Sequence, residues 1–177
     1  AILQSGASVF LTGAPGAGKT YVLNECVRQA RAEGAAVSVT ASTGIAATHI
    51  NGQTIHSWSG VGLANALTDN LIKTIRTRRK RKLQGADILI IDEVSMLHAW
   101  LFDMVDQVCR IIRRDQRPFG GLQVVLSGDF FQLPPVSVGG RNHDLVTPSP
   151  EFVASRERYA KAGLNPDGFV TESLVWR

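Results

Sequence analysis

Residues 13–20 read GAPGAGKT, and this stretch decides the fold that we expect for the chain. The eight residues match G-x-x-x-x-G-K-[ST] in full, between a short apolar run at residues 8–13 and a segment of helical period at residues 20–33. Glycines let successive backbone N–H groups face one concavity, and the helix that follows adds a favourable dipole for phosphate. The pattern therefore predicts a phosphate-binding loop formed by Gly13, Ala14, Pro15, Gly16, Ala17, Gly18, Lys19 and Thr20. In it Lys19 would contact the β- and γ-phosphates of ATP, and the Thr20 hydroxyl would ligate Mg²⁺.

Apolar, β-rich runs alternate with helical segments along the rest of the chain. Three further strands are predicted at residues 36–40, 87–91 and 122–126, with helices at residues 96–112 and 152–162. The run DILII is apolar almost throughout, as suits a strand that is buried on both faces. This alternation predicts an α/β fold, a central parallel sheet with helices on both sides in three layers.

Two carboxylates follow the third predicted strand, in the stretch ILIIDEVSM at residues 88–96. Ligands of open α/β sheets bind at the carboxyl edge of the strands, where Asp92 and Glu93 would lie. We expect Asp92 to hold the Mg²⁺ and Glu93 to orient and deprotonate a water molecule. An acidic pair at a helix N-terminus would be stabilising without any catalytic role, but the phosphate-binding loop favours the catalytic interpretation.

Two more segments follow predicted strands. SGDFFQLPPV at residues 127–136 places Gln132 where it could sense the γ-phosphate, although a Pro-rich exit loop would account for the same stretch. Residues 40–62 offer Thr43, Gly44, His56 and Ser57 as contacts for the phosphates and bases of a single-stranded nucleic acid. We interpret Trp58 in this second segment as an ordinary core residue.

The amino-acid composition narrows the classes of protein to which the chain can belong. The 177 residues fit one domain with a real core, and 44% hydrophobic content excludes a disordered chain. No apolar run approaches a membrane span, the first residues do not resemble a secretory signal, and two isolated cysteines indicate neither disulfide nor zinc. Residues 1–88 carry a net charge of +6 and residues 89–177 carry −2. Six of seven residues in the run RTRRKRK at residues 76–82 are basic, which fits either a solvated face or a nucleic-acid surface.

The four motifs, in this order and spacing, resemble those of the PIF-type DNA helicases of superfamily one. GAPGAGKT, ASTGIAATHINGQTIHSW, IIDEVSML and GDFFQLPPV resemble the motifs called I, Ia, II and III, and FVTESLVW resembles a later segment. RecD-like helicases share motifs I and III, but a different sequence follows the glutamine of their motif III. The paired phenylalanines and paired prolines in GDFFQLPPV therefore favour the PIF type. The resemblance implies that residues 1–177 form the first RecA-like lobe of a 5′-to-3′ helicase that uses ATP and Mg²⁺.

The resemblance also implies roles and partners. Thr20 and Asp92 would bind Mg²⁺. Lys19 and Gln132 would contact the phosphates, and Glu93 would act on the attacking water. Thr43 and His56 would contact the single strand. The partners would be single-stranded DNA and duplex forks, in genome maintenance, with no membrane contact. The location would be cytoplasmic in a prokaryote, or nuclear or mitochondrial in a eukaryote. Residues 60–84 would correspond to a small wedge-type insertion, with the basic run as a DNA-facing or hinge segment.

Two departures qualify the resemblance. Gln4 lies too close to Lys19 to be the adenine-reading glutamine of the family, and residues 1–177 contain no counterpart of the family motifs that carry the arginine finger and the second lobe. We therefore expect the chain by itself to be monomeric and to have weak ATP hydrolase activity or none. A P-loop regulatory ATPase without motor action and an RNA helicase remain alternatives at this stage.

Overall fold

A computed structural model describes residues 5–131, 135 and 148–177. Its centre is a five-stranded sheet in which every pairing is parallel. The strands are β1 (Val9–Thr12), β2 (Val37–Ala41), β3 (Gln53–Thr54), β4 (Ile88–Asp92) and β5 (Gln123–Gly128), and their order across the sheet is β1-β5-β4-β2-β3. Because all five strands run the same way, their carboxyl ends share one edge.

Six α-helices accompany the sheet within the residues that the structure describes. They are α1 (Lys19–Ala32), α2 (Gly44–His49), α3 (Ile55–Ser59), α4 (Asp69–Gln84), α5 (Ala99–Arg113) and α6 (Pro150–Ala162). Single 3₁₀ turns are formed by Val94–Met96, Pro118–Gly121 and Val170–Glu172. No helix in the described part of the chain has the length and apolarity that a bilayer crossing demands.

The two faces of the sheet belong to different clusters, because side chains alternate along each strand. Ile88, Ile90 and Val125 pack with Leu23 and Ala30 of α1. The alternate residues of β4 and β5 face a larger cluster that includes residues of α3, α4 and α5, namely Leu89, Ile91, Val124 and Leu126. The sheet therefore lies between two helical layers, and the predicted three-layer α/β/α fold is confirmed.

The predicted strands agree with the structure to within two residues at each end. The predicted helix at residues 96–112 begins later than expected, because Leu97 and His98 are extended and α5 starts at Ala99. Helical period places Val22 on the inward face of α1, but it is 38% exposed. Trp58 is fully buried, as its interpretation as a core residue requires. Residues 138–150 are rich in Gly, Pro, Ser and Asn, which predicts a surface loop, but residues 138–147 lie outside the described residues.

Sequence periodicity did not predict α4, which contains the basic run. Ile75 and Leu83 are its fully buried residues, and they join the larger cluster beside α5. The Arg113 guanidinium of α5 donates hydrogen bonds to the carbonyl oxygens of Leu83 (2.8 Å) and Ala86 (2.9 Å), so it caps the end of α4. The basic run is therefore an ordered part of a helix that is anchored at its C-terminus. The wedge-type insertion at residues 60–84 stays a prediction.

The last residues of the chain are held against α5 by one buried carboxylate. Asp103 accepts hydrogen bonds from the Tyr159 hydroxyl, from the backbone N–H of Leu174 (2.8 Å) and from that of Val175 (2.9 Å). Tyr159 lies on α6, so α6 and the C-terminal segment share this anchor. The segment also packs back on the sheet, where Trp176 meets Phe10 edge-on with ring centroids 5.9 Å apart.

Candidate nucleotide and nucleic-acid site

The carboxyl edge of the sheet collects all of the predicted site residues that the structure describes. The phosphate-binding loop follows β1, and Asp92 and Glu93 stand at the end of β4, with β5 between them. Thr43 and Gly44 follow β2, and His56 and Ser57 follow β3. The edge thus has a nucleotide side, formed by β1, β5 and β4, and a second polar side, formed by β2 and β3.

The loop that opens α1 has the shape of a phosphate cradle. Gly16 and Gly18 have φ angles of 77° and 83°, in the left-handed region that favours glycine, and a Cβ atom built on either would meet nothing within 4 Å. The N-terminus of α1 has no side-chain cap and no acidic residue in its first turn. Its positive end is therefore not neutralised by the helix itself, which leaves backbone donors suited to an anion.

Lys19 is folded back over this loop. Its Nζ atom donates to the carbonyl oxygens of Gly13 (2.6 Å) and Ala14 (3.0 Å), which places the ammonium group across the concavity. Lys19 also acts electrostatically on Glu93, so the loop after β1 and the acidic pair after β4 face each other. The two strongest sequence motifs are brought together across β5.

Glu93 has an unusual backbone and an unusual environment. Its φ of 54° and ψ of 44° lie in the left-handed region, a strained conformation that costs a residue with a side chain about 1–2 kcal/mol. Its backbone N–H donates to the Asp92 carboxylate at 3.0 Å, which ties the two acidic residues together. Burial raises the pKa of Glu93, the neighbouring Asp92 and Asp129 carboxylates add to the effect, and Lys19 opposes it. A carboxylate with a raised pKa is a better proton acceptor than an ordinary one.

Asp129 is a site residue that the sequence pattern did not single out. It directly follows β5, is 4% exposed, and its carboxylate accepts a hydrogen bond from the Phe131 backbone N–H at 3.0 Å. The signal was present, since Asp129 stands immediately after a buried strand in the motif that contains Gln132. Gln132 itself lies outside the described residues, so its role stays a prediction.

Gly128 brings the motif at residues 127–136 into close contact with the motif at residues 88–96. A Cβ atom there would lie 2.9 Å from Val94 Cγ2 and 3.2 Å from the backbone nitrogens of Val94 and Ser95. Contacts as short as 2.9 Å do not occur for real Cβ atoms, so glycine is required for steric reasons. The end of β5 therefore packs directly on the turn that follows Asp92 and Glu93.

The second side of the edge begins with Thr43, the N-cap of α2. Its Oγ1 accepts a hydrogen bond from the Ala46 N–H at 3.2 Å, and Gly44 beside it is exposed, with no atom near the position of a Cβ. Thr40 and Ala41 of β2 pair with Gln53 and Thr54 of β3, so the next polar loop starts alongside. The two segments offer an open, polar ledge beside the nucleotide side.

Thr54 caps α3 in the same way, by accepting from the Ser57 N–H at 3.2 Å. Ser57 is exposed, while His56 is half-buried, and burial followed by the charge of His98 lowers the pKa of His56. His98 received no role from the sequence, yet it interacts with His56 and its Nδ1 lies 3.2 Å from the Asp167 carbonyl oxygen. The lowered pKa favours a neutral His56 ring at pH 7, which can accept as well as donate a hydrogen bond.

Two buried hydroxyls near this edge make no hydrogen bond to any described residue. They are Ser42 Oγ, directly after β2, and Ser127 Oγ, near the end of β5. Buried polar atoms are normally paired, so unpaired ones beside a site are available to a ligand or to ordered water. Ser127 is on β5 and Ser42 directly follows β2, and these two strands flank β4 on either side.

The residues present fit a nucleotide with a bound divalent cation. The open cradle at Gly16 and Gly18, the uncapped helix end and the Lys19 ammonium group match triphosphate oxygens. Among the described residues no group of three or more His, Cys, Asp or Glu side chains is placed to hold a metal ion by itself. Mg²⁺ usually takes one or two protein oxygens together with substrate phosphates, and Thr20 and Asp92 offer such a pair.

Comparison with known proteins gives consistent results. The family model described as PIF1-like helicase matches residues 1–153. The ATP-dependent DNA helicase Pif1 of Psychrobacter sp. is 52% identical over 144 residues, which are 80% of this chain. The Pif1 helicase of Candida albicans superposes on 98% of this chain with a TM-score of 0.77 and 36% identity. A Pif1 helicase from Bacteroides in complex with ADP-AlF3 and ssDNA superposes on 97% of it with a TM-score of 0.65 and 30% identity.

The chain is similar to one part of these relatives. It spans 22% of the length of the Psychrobacter protein, 34% of the Candida albicans chain and 36% of the Bacteroides chain. The similar part contains the phosphate-binding loop, the Asp92–Glu93 pair and both polar loops of the second side. Its parallel sheet and phosphate-binding loop are those of a RecA-like P-loop fold.

Proposed function

We propose, because this chain belongs to the PIF1-like helicase family, that it acts as the first nucleotide-binding lobe of an ATP-dependent DNA helicase. The observation that carries the proposal is the carboxyl edge of the sheet. A phosphate cradle and an acidic cluster lie there on three adjacent strands, and an open polar ledge lies on the next two. One continuous edge can therefore contact a nucleotide and a nucleic-acid strand at once.

On the nucleotide side, residues 13–20 would bind the phosphates through their backbone N–H groups. Lys19 would exchange its two loop carbonyl partners for phosphate oxygens, and Thr20 and Asp92 would hold Mg²⁺. Glu93 would accept a proton from the attacking water, a role that its raised pKa supports. The bound nucleotide supplies the phosphoanhydride bond whose hydrolysis drives the cycle.

On the second side, Thr43, Gly44, His56 and Ser57 would contact single-stranded DNA. The hydroxyls and exposed backbone suit phosphate oxygens, which are the partners of most protein–DNA hydrogen bonds. The Bacteroides relative binds ADP-AlF3 and ssDNA together, which supports the same pairing of ligands in this chain. Gln132 would report the state of the γ-phosphate to this ledge, and forked duplexes would be the substrates of the whole protein.

A second RecA-like lobe would complete the ATP site of the whole protein. An arginine supplied by such a lobe is worth roughly 10³–10⁵ in rate where it has been measured. We therefore expect the 177-residue chain to bind nucleotide weakly and to hydrolyse it very slowly. The whole protein would act in replication, repair and recombination, in the cytoplasm of a prokaryote or in the nucleus or mitochondria of a eukaryote.

The test compares Lys19→Ala with Glu93→Gln in a protein that contains both lobes. Both variants should abolish unwinding of a forked duplex, but Glu93→Gln should retain ATP affinity, because Glu93 acts on water and Lys19 acts on the phosphates. Titration with a fluorescent ATP analogue measures the difference, with unwinding measured in parallel. Equal loss of nucleotide affinity in the two variants would contradict the assigned roles.

Binding of single-stranded DNA distinguishes this function from a regulatory ATPase without motor action. A motor lobe should bind a labelled single strand with an affinity that falls steeply as salt is raised, since phosphate contacts release counterions. A regulatory ATPase should show no such binding. Competition between DNA and RNA strands of the same sequence tests whether the polymer is DNA.

A further inference from the structure

Helix α4 exposes a dense set of cations with no acidic partners. Its exposed basic residues are Lys73, Arg76, Arg78, Lys80, Arg81 and Lys82, and its sequence contains one acidic residue, Asp69 in the first turn. None of these cations forms a salt bridge with any residue that the structure describes. From Lys73 to Lys82 the cations extend along about 14 Å of helix.

Four arginines outside α4 are paired with carboxylates. Four salt bridges join Arg28 to Glu25, Arg110 to Asp106, Arg117 to Asp115 and Arg156 to Asp167. On α4, like charges are instead placed one turn apart, as with Arg76 and Lys80, and such pairs destabilise a helix by a few tenths of a kcal/mol each. Burial lowers the pKa of Lys82, and the nearby charge of Arg79 adds to the effect.

The C-terminal end of this surface forms part of a concavity. Arg81 and Lys82 of α4 and Arg31 of α1 line a groove of about 390 Å³ together with Ala36 and Val37. Val37 is the first residue of β2, so the groove lies at the amino edge of the sheet, opposite the nucleotide residues. Three cations from two helices converge there on a space that is open to solvent.

We propose that the α4 cations, together with Arg31, bind the sugar-phosphate backbone of duplex DNA at a surface separate from the carboxyl edge. Duplex DNA carries one negative charge per about 1.7 Å of axis when both strands are counted, so a duplex length of about 14 Å contains about eight phosphates, and those on the near side would face α4. The sequence of α4 contains no aromatic residue on which an unpaired base could stack, which favours backbone contact with a duplex over binding of a single strand. Binding at this surface is electrostatic and does not depend on the base sequence of the duplex.

The experiment measures binding of a fluorescent duplex of about 20 base pairs to the 177-residue chain by anisotropy, across a salt titration. The variants are Arg76→Gln/Lys80→Gln and Arg81→Gln/Lys82→Gln. The control, Arg158→Gln/Lys161→Gln, removes two exposed cations from α6, a helix that also carries acidic residues. Far-UV circular dichroism of each variant should match that of the unchanged chain.

Each α4 variant should reduce the slope of log affinity against log salt by about 1.8, since each duplex phosphate contact contributes about 0.9. Between about 50 and 200 mM salt, the unchanged chain should then lose about twelvefold more affinity than either variant. The control should keep the original slope. Neither α4 variant changes a residue of the nucleotide site, so this result is independent of the role proposed for that site.

Three results would overturn the proposal. The control could lower the slope as much as the α4 variants, which would make the effect one of net charge. A single strand of equal length could lose as much affinity as the duplex in the α4 variants. Polyglutamate could displace the duplex as well as unlabelled duplex does, which would indicate an acidic protein partner.

Discussion

Replacement of Asp103 tests how the C-terminal part of the chain is held to α5. The carboxylate is 5% exposed and accepts three hydrogen bonds, from the Tyr159 hydroxyl and from the backbone N–H groups of Leu174 and Val175. Tyr159→Phe removes one of them and should lower the free energy of unfolding by about 1–2 kcal/mol. Asp103→Ala leaves a buried phenol and two N–H groups without an acceptor, at about 1–3 kcal/mol each.

The cost of Asp103→Ala is offset in part, because the variant no longer buries a carboxylate. Burial raises the pKa of Asp103 despite the opposing hydrogen bonds, so the ionised form carries a desolvation penalty in the folded state. We therefore expect a net loss of about 2–4 kcal/mol for Asp103→Ala, and a smaller loss of about 1–2 kcal/mol for Asp103→Asn, which keeps one acceptor oxygen. Urea unfolding of the 177-residue chain, followed by far-UV circular dichroism, measures these differences.

The raised pKa also predicts the sign of a pH effect. The contribution of Asp103 is fully present below its unfolded-state pKa, near 3.8, and declines as pH rises through the folded-state pKa. The penalty of Asp103→Asn should therefore be largest in acid and shrink toward neutral pH. If Asp103→Ala lies within about 0.5 kcal/mol of the unchanged chain, or if the Asn penalty grows with pH, the anchor argument is wrong.

Two further predictions concern the nucleotide side. Gly128→Ala should lower the free energy of unfolding by about 1–3 kcal/mol, because the added Cβ overpacks against Val94 and Ser95. Gly44→Ala is the control: its Cβ meets no atom within 4 Å, so the free energy of unfolding should be unchanged or slightly higher. The same urea assay measures both variants. The pKa of Glu93 lies above the ordinary glutamate value of 4.5. In a two-lobed protein, the rate of ATP hydrolysis should therefore fall as pH drops through this raised pKa. A rate that stays constant down to pH 4.5 would refute the assignment of Glu93 as the base.

Local patterns were enough to predict the phosphate-binding loop, the four long strands and the edge that carries the site. A glycine-rich loop of this spacing between a strand and a helix is specific for phosphate binding, and buried strands such as β4 need apolar residues throughout. Three helices, α2, α3 and α4, were not predicted, for a physical reason. At six and five residues, α2 and α3 complete fewer than two turns, and α4 fully buries two side chains among many charges, so none of them has a clear hydrophobic period.

Residues that act through distant neighbours could not be assigned from their own segments. Asp129 gains its significance from its electrostatic contact with Glu93, and His98 from its contact with His56, 42 positions away. Asp103 looked like one polar residue on an amphipathic helix until the fold placed Tyr159, Leu174 and Val175 around it. In each case the partners are far apart in sequence.

The sequence by itself was enough to predict the chemistry that we propose, because phosphate and cation binding require particular residue types at short, fixed spacings. Residues 13–20 and the pair Asp92–Glu93 would carry that chemistry in local patterns. The tertiary structure alone decided the arrangement. The strand order β1-β5-β4-β2-β3 set the nucleotide side beside the polar ledge, and helix packing turned a basic run into an unpaired cationic surface on α4. Strand order and packing depend on contacts between distant residues, which no local pattern encodes.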